Sequence, residues 1–104
     1  MPKTETPAQK MARDALSVKL WRLPELGLPE PGGKAWPTLE AMQAYVGGYV
    51  EHLAVGLDGT PSHLFVNEDG HRLGQGPNEI ASVIARRLIV GPALLWVGKL
   101  PRDA

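Results

Sequence analysis

Proline and glycine constrain this chain more than any other residue types, because its 10 prolines and 12 glycines fall in clusters. Proline in a helix interior costs about 3 kcal/mol and glycine about 1 kcal/mol relative to alanine, so each cluster marks an end. Clusters stand at 24–37, 47–48, 59–61, 74–77 and 91–92, and the short segments between them are read by their own periodicity. With 104 residues the chain holds one hydrophobic core and not two.

Thr6-Pro7-Ala8-Gln9 has the form of a helical capping box, and Met11, Ala12, Ala15 and Leu16 follow at helical spacing. Residues 1–17 read as an N-terminal extension, either a short helix or frayed chain, since so short a helix needs packing to persist. Val18, Leu20 and Trp21-Arg22-Leu23 predict a first strand that stops at Pro24. The stretch 24–37 predicts a loop with a brief extended piece at Ala35-Trp36; loops of that length are functional or loosely ordered. Thr38 caps a helix with Leu39, Met42 and Val46 on its apolar face, Tyr45 on the flank and Gly47-Gly48 at its end.

From Tyr49 the period becomes two. Leu53 and Val55 return as Leu64 and Val66 on one face of a hairpin that turns at Asp58-Gly59-Thr60-Pro61. The second face carries Val50, His52 and Ala54 beside His63, Phe65 and Asn67; half apolar, it is expected to meet water or a partner. Asn67-Glu68-Asp69-Gly70 predicts a turn, with His71-Arg72-Leu73 pairing back. A second helix places Ile80, Val83, Ile84 and Leu88 on one face, and the apolar run Ala93–Val97 predicts a strand covered on both sides. The order is the ferredoxin-like βαββαβ of an α+β domain spanning 18–98, with a tail at 99–104. That arrangement needs parallel pairings and puts both helices on one face, although an α+β sheet of another strand order uses the same elements.

The charge balance, 11 basic against 11 acidic residues, argues against holding duplex nucleic acid by its phosphates. No apolar run reaches a membrane span and the polar start is not a signal peptide, so a cytoplasmic domain is expected. Without cysteine there is no disulfide, thiolate metal site or thiol nucleophile. His52, His63 and His71 lie near Glu68 and Asp69 but supply no four-ligand set, so no metal is expected. Ser62 and Ser82 sit in no nucleophile elbow, and Gly74-Gln75-Gly76-Pro77-Asn78 lacks the lysine and hydroxyl of a phosphate loop. No catalytic residue and no cofactor is therefore assigned.

Three places merit attention as a binding site. Gly76, Asn78 and Glu79 open the second helix, where free N–H groups can take a phosphate; ordinary capping by Asn78 is the plainer account. Tyr45, Gly47, Gly48, Tyr49 and Glu51 form a corner where glycine admits a flat ligand and tyrosine stacks on it, unless the corner is simply a helix cap. Asn67 and Glu68, in the following turn, offer polar groups that read ligand edges.

Tyr45-Val46-Gly47-Gly48-Tyr49-Val50-Glu51, Val66-Asn67-Glu68-Asp69-Gly70, Asn78-Glu79-Ile80-Ala81 and Ile89-Val90-Gly91-Pro92-Ala93, in that order, resemble domain-of-unknown-function family 3846. The likeness covers about residues 18–98; the 1–17 segment and the long 24–37 loop depart from it. The resemblance implies a phage, plasmid or other mobile-element setting and no assigned activity. The expectation is a non-enzymatic accessory binding protein that counters host defence by sequestering a nucleotide immune signal. Tyr45 or Tyr49 would stack the base, N–H groups near Asn78 would take phosphate, and Glu51 or Asn67 would read polar edges in a pocket between two copies. The alternative is a protein-interaction module that inhibits a host defence protein through the hairpin face and the Trp36 loop.

Overall fold

The computed structural model describes residues 4–102. In chain order it contains α1 (Pro7–Arg13), β1 (Leu20–Leu23), β2 (Glu30–Pro31), α2 (Leu39–Val46), β3 (Val50–Leu57), β4 (Thr60–Asn67), α3 (Glu79–Ala85) and β5 (Ala93–Val97). The α+β class holds. The sheet is five-stranded in the order β2-β1-β5-β4-β3, and every neighbouring pair is antiparallel.

That order departs from the ferredoxin-like expectation, and the reason lies in the loop. The chain turns back after β1 and lays Glu30 and Pro31 against Arg22 and Trp21. The outer edge of β1 is thereby occupied, and β5 enters between β1 and β4 instead. The extended piece of the 24–37 stretch is thus Glu30–Pro31 rather than Ala35-Trp36.

The helices also divide between the faces. On one face Met11 of α1 with Ala81 and Ile84 of α3 cover Trp21, Leu23, Leu64, Val66, Leu95 and Val97. On the other, Met42 and Tyr45 of α2 and the loop residue Trp36 cover Leu20, Phe65, Leu94 and Trp96. Trp36 stands edge-on to Phe65 and Trp96, with centroids 5.7 and 5.1 Å apart, a geometry worth about 1 kcal/mol per pair. The half-apolar hairpin face is therefore covered at Phe65 and Asn67, half-covered at Val50 and His63, and open to solvent at His52 and Ala54, while Trp36 is half-buried against the core. β5 is buried throughout, as its unbroken apolar run predicts.

Local signals explain most of the elements. Thr6 Oγ1 accepts from Gln9 N–H (3.1 Å) and Gln9 Oε1 from Thr6 N–H (2.9 Å), so the capping box forms. Met11, fully buried, supplies the packing that α1 needs. Asp58 and Gly59, with φ of 47° and 84°, make the two-residue turn that closes β3 on β4. Leu53 pairs directly with Leu64, so the hairpin register is the one the alternation predicts. Two local readings give way. His71–Leu73 continues the turn, with Leu73 N–H bonded to Asp69 O, instead of pairing back. α3 stops at Ala85, so Leu88 lies beyond the helix, and both Leu88 and Val83 are exposed.

His52 and His63 meet diagonally across the hairpin, Nε2 to Nδ1 at 2.8 Å, and His52 stacks on Phe65. Burial, and then the His52 charge, hold His63 below its ordinary pKa of 6.5. The unfolded chain therefore binds this proton more readily than the folded one, and protonation favours unfolding. The melting temperature should hold steady above about pH 7 and fall as the pH drops through about 6.5. His63→Ala should make that fall shallower in a pH series of melting curves; an unchanged slope would remove His63 as its source.

Candidate functional site

Two polar members of the four motifs, Asn67 and Asn78, bond to the backbone of other motif residues. Val46 O at the end of α2 accepts from both Asn67 Nδ2 and Gln75 Nε2, each at 3.1 Å. Asn67 Oδ1 in turn accepts Asp69 N–H at 2.7 Å and shapes the turn after β4. Gly47 is the left-handed C-cap of α2, with φ of 88°. Gly48 lies against Asn67, where an added Cβ would stand 3.0 Å from Nδ2. Gly70 and Gly91 leave the room that the Gln75 carboxamide fills. The glycine corner is thus a close-packed joint between α2, the end of β4 and the segment before β5. Gly47→Ala should cost about 1–2 kcal/mol from the left-handed backbone and the nearby Gln75 amide, read as a lower urea midpoint at unchanged slope.

Asn78 is 1 % exposed and its side chain is fully engaged. Oδ1 accepts Ala81 N–H, capping α3, while Nδ2 donates to Leu23 O and Gly91 O, both at 2.9 Å. Its own N–H goes to Ile89 O. Ser82 completes this joint: Oγ donates to Asn78 O and accepts Ile89 N–H at 2.8 Å. Gly76 lies beneath the Glu25 carboxylate, and its carbonyl accepts Gly91 N–H. Gln75 and Ser82 are the two structural residues that motif reading passed over. The flanking Gly74 and Gly76 were the only signal for Gln75.

The remaining candidates are dispersed. Tyr45 is half-buried in the α2 layer, where burial first, and then the Glu30 carboxylate, raise its hydroxyl pKa against the lowering effect of Arg22. Tyr49 is 69 % exposed. Glu51 pairs with Arg87 at 3.4 Å. Glu51, Asn67 and Glu68 share a depression of only 40 Å³, whereas ligand pockets run to several hundred. Among the described residues no three His, Asp or Glu side chains are grouped to hold a metal ion.

A much larger concavity lies elsewhere. A cleft of 640 Å³ opens between the chain following β1 and the exposed side of α3. Leu26, Ile80, Val83 and Leu88 line it, and Leu26, Val83 and Leu88 are 88 %, 70 % and 59 % exposed. Glu25, Glu79 and Arg87 are its charged groups. Asn78 and Glu79 of the predicted set reach this cleft; the tyrosine corner does not. A second apolar hollow of 270 Å³ shares Ile80 and Val83 and continues the surface across to Pro7 and Ala8. The arrangement presents exposed apolar side chains beside two carboxylates and one guanidinium.

A family model described as "Domain of unknown function (DUF3846)" matches residues 25–100. No curated protein and no solved structure matches the chain.

Proposed function

The chain belongs to the DUF3846 family of domains of unknown function, and from that footing we propose that it is a non-enzymatic accessory binding protein of a phage or mobile element. It grips a host protein through the cleft beside α3. The observation that carries this reading is the exposure of Leu26, Val83 and Leu88 around one concavity. Contiguous exposed apolar surface marks binding faces. Glu25 and Glu79 against Arg87 suit an apolar segment that carries a lysine or arginine.

The same features weigh against sequestration of a nucleotide signal. A phosphate finds two carboxylates in the cleft, and the N–H of Asn78 and of Ala81 are already bonded within the protein. Tyr45 faces the sheet with α2 rather than a shared space with Tyr49.

Selection from a displayed random-peptide library tests the reading. Peptides that bind the immobilised protein should pair two apolar residues with a neighbouring lysine or arginine. In parallel, cyclic dinucleotides and ADP-ribose-type signals should leave the melting temperature unchanged. A shift with any of them that Tyr49→Ala abolishes would put nucleotide sequestration in its place.

A further inference from the structure

The two edges of the sheet are unequal. The β2 edge is two residues long and ends in Pro31, the kind of edge that resists further pairing. The β3 edge runs for eight residues without proline, lysine or a bulge, in unbroken register from Val50↔Asn67 to Leu57↔Thr60. Glu68 N–H donates to Tyr49 O, which fixes the alternation. Odd-numbered residues of β3 bond to β4, and Val50, His52, Ala54 and Gly56 turn their N–H and C=O outward. No described residue outside β4 bonds to the β3 backbone at these four positions.

We propose that a second copy of this chain pairs antiparallel along β3, with the twofold axis at Leu53. This register uses all four outward residues of each copy. Large then meets small on one face: His52 lies opposite Ala54, and Val50 opposite Gly56. On the other face the half-buried Leu53 meets its own equivalent and Glu51 lies opposite Val55, so no like charges oppose one another. A hollow of 360 Å³ lies beside Val55, lined by Ala54, Gly56, Ile84 and the exposed Arg86. Glu51 of the second copy enters that hollow and faces Arg86, and symmetry repeats the contact. This self-matching of charge and size selects a second copy over an arbitrary extended peptide. The pairing uses no residue lining the cleft; its one link to the cleft is that Glu51 gives up its ion pair with Arg87 to face Arg86 of the second copy.

Sedimentation equilibrium on the full chain tests it. Wild type should form a dimer. Ala54→Pro should weaken it about tenfold or more, because the lost N–H serves only the outer edge and the ring blocks the approaching strand. Arg86→Glu should weaken it about threefold, as an exposed charge pair does. Leu26→Gln with Val83→Gln should leave it unchanged. Circular dichroism checks that Ala54→Pro retains its sheet; if it does not, Ala54→Lys replaces it at the same exposed position with the same expected direction. A wild type that remains monomeric at the highest soluble concentration would overturn the proposal. So would a folded edge variant that dimerises as tightly as wild type.

Discussion

Asn78→Ala should lower the stability of the domain by about 4 kcal/mol. About 1 kcal/mol is the lost cap of α3. The rest is the cost of stranding the carbonyls of Leu23 and Gly91, at roughly 1–3 kcal/mol for each buried group left unpaired. Both carbonyls now accept from Nδ2 at 2.9 Å, and Asn78 is 1 % exposed, so water does not replace the amide. A domain of this size is stable by about 5–15 kcal/mol, so the variant should lose roughly a quarter to four-fifths of its stability. Asn78→Asp separates the contributions. It keeps an acceptor for Ala81 N–H and adds a charge that the helix dipole favours, yet it turns a carboxylate oxygen toward two carbonyl oxygens. If donation to Leu23 and Gly91 dominates, Asp should rescue little of the loss in urea unfolding. A rescue to near wild type would assign the residue to capping alone.

The second large effect is on binding. Leu26→Gln combined with Val83→Gln should weaken any partner of the cleft by about 3 kcal/mol, roughly a 100-fold loss, from two apolar side chains no longer buried in the complex. Stability should move little, because both side chains are mostly exposed in the free protein. Titration calorimetry with a selected peptide reads the loss. Tyr49→Ala should bind as wild type does, since Tyr49 does not line the cleft.

These two predictions concern residues that the sequence presents in opposite ways. Asn78 stands in a polar motif at a helix start, where capping is the plainer reading and a ligand seat the competing one. The choice between them depends on Leu23 and Gly91, which lie 55 and 13 positions away, and a periodic reading carries no such long-range information. The same holds for Gly48 and Asn67, whose close approach follows from the joint around Gln75. Val83, by contrast, sits at helical spacing with Ile80 and Ile84, which predicts a buried position. It is exposed because α3 is only seven residues long and rests on the sheet mainly through Ala81 and Ile84.

Elements governed by neighbours in sequence were legible: the Thr6 and Thr38 caps, the Gly47 end of α2, the β3–β4 turn and its register. The sheet order was not. It turns on Glu30 and Pro31 reaching back to β1, within a stretch whose prolines and glycines carry no strand signal. The packing of Trp36 on Phe65 and Trp96 was not legible either, because distant chain segments set it.

Amide chemical-shift mapping locates the binding surface most directly. The isotope-labelled protein is titrated with a peptide selected from the library. The account predicts that the perturbed amides cluster at Leu26, Gly27, Ile80, Val83 and Leu88. Perturbations centred instead on Gly48, Tyr49 and Glu68, with the cleft unmoved, would contradict it.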